Sequence, residues 1–290
     1  MRNKELNINT MTDTILFSLI IPVYNVPQKL LVGCLDSVVT QLAKHSDCEC
    51  ILIDDGSTDG SGDICDKYAS KYDIFKVFHR DNQGNGFARN YGISQANGKW
   101  ILFLDDDDYL LDQYYHNVRN AILTYGSHFK NICFNHKRLN HNNNDAEYIA
   151  VKKNAAIKEP RVYTVDNSSF NAHCVIWTHI YNREWLITNN IKFPETYTCP
   201  ELHQYRDEDS YFNYLCYNYD ELVLELPFYG IAHRIRAGST NQYQMRMMNL
   251  PKGYYVVDLY QDILSRNTQS PRLLKWLLQK AKELKLPINS

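Results

Sequence analysis

In the first half of the chain, short apolar runs alternate with segments of helical spacing. Leu16–Val23 is a continuous apolar run of strand length. Pro27 then opens a segment that puts Leu30, Leu31, Cys34, Leu35, Val38, Val39 and Leu42 on one helical face. Glu49–Ile53 reads as a second strand ending at Asp54-Asp55. A Gly/Ser/Asp-rich turn, Gly56 to Gly60, leads from it into a helix through Ile64 and Tyr68. Ile74–Phe78 is a third strand, Asn85–Gln95 a helix, Trp100–Leu104 a fourth strand, and a further helix lies near Leu111–Thr124. This alternation predicts an α/β fold, a mostly parallel sheet with helices on both faces. Ligands of such sheets bind beyond the carboxyl ends of the strands. Tyr24-Asn25, Asp54-Asp55 and Asp105–Asp108 all fall at those ends.

The second half is less regular. Asn140–Asn144 reads as a polar loop and Lys152–Arg161 as a charged connection. Apolar and aromatic stretches return around Val175–Trp185 and Tyr211–Leu226, and terminal helices follow over residues 241–290. The last of these, Leu273–Leu286, has a Leu/Trp face with lysines interspersed. One reading is an interfacial helix in peripheral contact with anionic lipid; the other is an amphipathic helix docked on its own domain.

Composition narrows the class. Lys plus Arg is 31 against 33 Asp plus Glu, so no electrostatic footprint for nucleic acid is present. The eight cysteines include no Cys-x-x-Cys pair, which fits neither a zinc site nor a disulfide framework. Scattered thiols without a signal peptide imply a reducing cytoplasm. No run approaches the roughly 20 apolar residues of a membrane span. The expectation is therefore a cytoplasmic protein, at most peripheral on the inner face of the plasma membrane.

Asp105 to Asp108 are four consecutive carboxylates at a strand end. Their mutual repulsion requires either a hard divalent cation sharing them with a bound phosphate, or a solvated turn that caps the helix starting near Leu110.

Four segments taken together resemble a known family. Ser18-Leu-Ile-Ile-Pro-Val-Tyr-Asn25, Ile53-Asp-Asp-Gly-Ser-Thr-Asp-Gly60, Asn82-Gln-Gly-Asn-Gly-Phe-Ala-Arg-Asn90 and Phe103-Leu-Asp-Asp-Asp-Asp108 look like the successive motifs of family 2 glycosyltransferases, in order and spacing. The resemblance is tight over residues 16–126. It is looser through Trp177–Trp185, Asp207–Phe212 and His233–Thr240. It implies a GT-A fold with a nucleotide-sugar half (1–128), an acceptor half (129–240) and a helical extension (241–290). It also implies transfer of a hexose or N-acetylhexosamine from a UDP-sugar, with inversion, to a glycan or lipid-linked oligosaccharide, as in bacterial capsule or O-antigen synthesis.

Site roles follow from the same resemblance. Pro22, Tyr24 and Asn25 border the donor base, and Asp55 accepts from the uracil N3–H; its alternative is an Asx-turn into Gly56. Asp54 is a ribose or structural contact. Arg89 contacts the nucleotide or neutralises nearby carboxylates, against a surface ion pair of little worth. The Asp-x-Asp pattern makes Asp107 a ligand of Mn²⁺ or Mg²⁺ and Asp105 a ligand or a ribose/water contact, with Asp106 beside the substrate. Glu208-Asp209 matches the acceptor-half Glu-Asp motif, with Asp209 as general base. The three adjacent acids from Asp207 repel one another and so raise a pKa. The alternative is an acidic helix N-terminus. Trp177 lies under the sugar or in the core, and His179 departs from the lysine usual at its position. His233 is an imidazole ligand to the metal or an ordinary packing residue, and Arg236 a phosphate contact.

Two rival functions remain at this level. A sugar-phosphate nucleotidyltransferase would carry a Gly-rich basic loop where Pro22–Asn25 stands. A catalytically dead GT-A glycan-binding protein would have no need of Asp105, Asp107 and Asp209.

Overall fold

The computed structural model describes residues 14–140, 148–149, 157–164, 175–195, 208–235, 255–266 and 269–283. Strands β1 (Phe17–Val23), β2 (Cys48–Asp54), β3 (Phe75–His79) and β4 (Trp100–Phe103) are parallel and stand in the order β3-β2-β1-β4. β1 and β2 are buried along their whole length, which is why they are mostly apolar; among their buried polar residues, Ser18 and Glu49 hydrogen-bond each other at 2.6 Å. Helices α1 (Gln28–Leu42), α2 (Ser61–Lys71) and α3 (Asn85–Gln95) make the crossovers. α1 buries Leu31, Cys34, Leu35, Val38 and Leu42, the face the periodicity predicts.

Beyond β4 the same sheet continues through β9 (His179–Asn182), β6 (Asn131–Asn140), β10 (Leu222–Ile235) and β5 (Tyr109–Leu110). β7 (Tyr148–Ile149) pairs with β6, and β8 (Arg161–Thr164) with β10. β6 has no counterpart in the sequence reading, because Lys137, Arg138 and Asn140 break its apolar pattern.

The acidic run caps no helix. Tyr109 and Leu110 pair antiparallel with Ala232 and Ile231, so the chain leaves the acids extended. α4 (Tyr114–Tyr125) starts only after Gln113 turns it through a φ of 64°. Among the later elements are α5 (Arg183–Thr188), α6 (Glu208–Tyr219), α7 (Tyr255–Ser265) and α8 (Pro271–Glu283).

α8 settles in favour of the docked alternative. Leu273, Trp276 and Leu277 are buried, and the Trp276 ring lies 4.9 Å from that of Tyr214 on α6. The apolar face that lipid contact requires is therefore used inside the fold; Leu284 and Leu286 lie outside the described residues. Among the described residues no helix is long and apolar enough to cross a membrane. The six described cysteines are buried free thiols, and burial pushes Cys48 and Cys65 up to about 12.

Candidate active site

The parallel register puts Val23 opposite Asp54 and Ile20 opposite Phe103, so the chains leaving β1, β2 and β4 emerge along one edge. β1 lies between β2 and β4, where the strand order reverses, and a crevice opens at such a point. Tyr24 N–H crosses it to Asp106 Oδ2 at 3.2 Å, while the Tyr24 side is 39% exposed. Asn25, in the left-handed region at φ 45°, holds the neighbouring turn through Thr58 N–H to its Oδ1 at 2.8 Å. Pro22 is buried within β1.

The two acids ending β2 have different tasks. Asp54 makes the Asx-type turn, accepting from Ser57 N–H at 3.0 Å, and pairs with His79 Nδ1 at 2.8 Å. Asp55, to which the sequence reading had attached that turn, reaches across to the segment before α3. Its two oxygens accept from Gln83 N–H at 2.9 Å and Gly84 N–H at 2.7 Å. Burial raises its pKa, and those two backbone donors oppose the rise. Each oxygen still has a lone pair for a ligand donor. Gly56 sits between these arms at φ +77°, where a Cβ would lie 2.8 Å from Asn82 N.

Arg89 is the centre of the rim. A Cβ on Gly92 would stand 2.5 Å from Ile20 Cγ2, so α3 lies close on β1 and presents Arg89 one turn nearer the strand ends. Arg89 is 2% exposed, its guanidinium over the Phe193 ring at 5.4 Å. Nη2 donates to Asp105 Oδ1 at 2.9 Å; Nη1 donates to Glu208 Oε1 and Asp209 Oδ1, both at 3.0 Å. Burial works against the charge, but the three carboxylates outweigh it and the pKa of Arg89 is raised. Glu208 and Asp209 form the acidic first turn of α6 as well as this junction. The pKa of Glu208 is raised, by burial first and against the pull of Arg89. Asp207 lies outside the described residues.

The register of β5 on β10 brings the fourth acid to His233. Asp108, fully buried, accepts from His233 Nδ1 at 2.9 Å and from Arg234 N–H at 2.8 Å. Its pKa is raised to about 6, by burial first and against the His233 contact. For His233, burial lowers the pKa, but the bond to Asp108 prevails and the net shift is upward. Trp177 is 5% exposed, stacked on His233 at 5.1 Å and 18°. His179 is buried in β9 with Nδ1 2.7 Å from Asn131 Oδ1. Arg236 lies outside the described residues. Sequence reasoning missed three parts of this rim: the Asp108–His233 pair, the Gln83–Gly84 donors on Asp55, and the aromatic support of Arg89. In that support Phe193 stacks on Phe212 at 4.1 Å. A Phe at those positions carries no mark distinguishing it from any core residue.

Asp105, Asp107 and His233 are of the donor types that a divalent cation would take. Asp105 and Asp107 are carboxylates on a partly exposed loop, and His233 is oriented through Nδ1 by a carboxylate, as metal-ligating imidazoles commonly are. Among the described residues no group of three or more His, Cys, Asp or Glu is placed to hold a metal ion, so Asp105, Asp107 and His233 are not brought together as a ready three-ligand site.

Comparisons with known proteins agree with this architecture. The chain is 30% identical over 234 residues to the glycosyltransferase GlyA of Streptococcus pneumoniae serotype 4, covering 78% of this chain and 31% of that one. It is 45% identical over 95 residues to the poly(ribitol-phosphate) beta-glucosyltransferase of Bacillus spizizenii, 32% of this chain and 15% of that one. The chain thus spans a third or less of the length of these two relatives. The crystal structure of S. aureus TarS 1–349 with UDP-GlcNAc superposes with a TM-score of 0.70 at 23% identity, over 92% of this chain and 73% of that one, which shows a shared GT-A fold. Residues 18–169, just over half the chain and including the Tyr24, Asp55, Arg89 and Asp105–Asp108 segments of the rim, match the profile of Glycosyl transferase family 2, and the chain belongs to that family.

Proposed function

We propose that the protein transfers a hexose or N-acetylhexosamine, with inversion, from a UDP-sugar to a hydroxyl of a surface glycan. The observation that carries this reading is the Arg89 junction. Direct displacement at C1 needs the departing diphosphate and the acceptor's base on opposite faces of one sugar. One buried guanidinium touches both Asp105, after β4, and Asp209, on α6. The UDP-GlcNAc bound by TarS and the poly(ribitol-phosphate) in the name of the B. spizizenii glucosyltransferase support a UDP-sugar donor and a polymeric acceptor.

In this reading Tyr24 stacks on the uracil, bordered by Pro22 and Asn25, and Asp55 accepts from its N3–H. Asp106 fixes the Tyr24 backbone, and Trp177 and Arg236 act at the sugar and the phosphates. Asp209, oriented by Arg89, removes the acceptor hydroxyl proton as that oxygen attacks. Glu208 shares the guanidinium and keeps Arg89 in place. Asp105 and Asp107, with His233, would hold Mn²⁺ or Mg²⁺, which supplies charge stabilisation to the leaving diphosphate.

The test is UDP release from a panel of UDP-sugars, with Mn²⁺ or with EDTA, alongside UDP calorimetry. Asp209→Asn should keep donor affinity and lose about 10²- to 10⁴-fold in turnover. Unchanged turnover would remove Asp209 from the reaction, and no UDP binding by the parent protein would overturn the donor assignment.

A further inference from the structure

A second concavity lies outside the acid rim. It is a cleft of about 650 Å³ between the outer face of α3 and the segment from α5 through Glu195. Phe87 and Tyr91 of α3 and Leu186 and the exposed Ile187 of α5 are among its lining residues. Arg80, Arg183 and Lys192 line it against one carboxylate, Glu195. That carboxylate is already engaged, accepting from Asn90 Nδ2 at 2.9 Å. The contacts of the two arginines leave their charge in place. Arg80 lies on the Tyr91 ring at 4.1 Å, and Arg183 Nε donates to the Ile93 carbonyl at 3.4 Å. The cleft is thus a concentrated positive site on a chain of net charge −2.

The wall is built rather than incidental. Asn90 grips Phe193 in both directions, accepting from its N–H at 2.9 Å and donating to its carbonyl at 3.0 Å. The next residue on α3 toward the rim is Arg89, so the helix that carries the catalytic junction also carries the cleft. At one end is Gln83, whose N–H is bonded to Asp55; at the other are Ser94 and Arg183. At 1.5 Å per residue, the helical part of that stretch, from Asn85 to Ser94, is about 14 Å long, more than one sugar unit needs.

We propose that this cleft binds an anionic stretch of the acceptor, a polyol or sugar chain bearing phosphodiesters or carboxylates, remote from the reacting hydroxyl. Aromatic and aliphatic side chains suit the C–H faces of such a chain, and the arginine forks suit its phosphate or carboxylate oxygens. The inference rests on the proposed glycan-directed transfer and adds a charge requirement to it.

The experiment is calorimetry on the UDP-loaded protein with three oligomers of matched length: glycerol phosphate, a uronate oligosaccharide and neutral dextran. At least one charged oligomer should bind and dextran should not, and the tighter of the two identifies the anion. Binding should weaken as salt rises toward about 1 M, where the Debye length falls to about 3 Å. Arg183→Gln with Lys192→Gln should weaken it about tenfold, equivalent to about 1.4 kcal/mol, with UDP affinity unchanged. Should the double variant fail to fold, Lys192→Glu alone, at an exposed position, should still lower affinity and flatten the salt dependence. Equal binding of dextran, no binding of either charged oligomer, or indifference to these substitutions would overturn the proposal. Absence of UDP binding would instead reject the donor reading itself, so the two failures are distinguishable.

Discussion

Arg89 holds the largest share of the site's electrostatics in one side chain. With Asp105, Glu208 and Asp209 all on its guanidinium, Arg89→Ala leaves three crowded carboxylates without their cation. Breaking a buried pair on one side costs about 3–5 kcal/mol, and urea denaturation should show a loss of that size. Arg89→Lys should recover only part of it, because an ammonium lacks the fork that reaches both Asp105 and α6. His79 gives a smaller, pH-dependent effect. Its pKa is raised, by the bond to Asp54 first and that to Asp66 second. A raised pKa means that its contribution is full below the unfolded value of about 6.5 and is lost as pH rises through the folded value. The stability difference between the parent protein and His79→Asn should accordingly be full below about pH 6.5 and shrink as pH rises above it. Urea denaturation across that range checks it, and a constant difference would assign the effect to packing.

Among the elements, α8 shows how an amphipathic pattern is decided. Its Leu/Trp face with lysines opposite suits lipid and protein equally, and the contact of Trp276 with Tyr214 on α6 selects protein. Trp276→Ala should cost about 3–5 kcal/mol in thermal or urea unfolding, the range for deleting a large buried aromatic. A loss under about 1 kcal/mol would mean that α8 contributes little to the core. β5 shows a different point. Two residues of extended chain, paired with β10, turn an apparent helix cap into a loop that hands Asp108 to His233. Hydrophobic periodicity does not reveal a two-residue strand, since it has no period to display.

For the whole molecule, ligand linkage tests the donor reading. UDP at about 100 times its Kd should stabilise the fold by about 2.7 kcal/mol. The rise in Tm with UDP plus Mn²⁺ should exceed that with UDP plus EDTA, and Asp107→Asn should abolish the difference. No difference in the parent protein would remove the cation from the reading. The strands of the first half, α1, α3 and the family itself are written locally, in apolar runs, helical spacing and turn residues within a few positions of one another. That is why β1 to β4 are displaced from their predicted bounds by only a residue. The site is written otherwise. Arg89 meets Glu208 and Asp209 across 119 and 120 positions, and His233 meets Asp108 across 125. The sequence alone determined the four parallel strands β1 to β4, the common edge where their polar ends emerge, and the family. Only the tertiary structure decided which carboxylate serves the turn, which holds His233 and which share Arg89, because strand register and helix approach set those pairings and no local pattern encodes them.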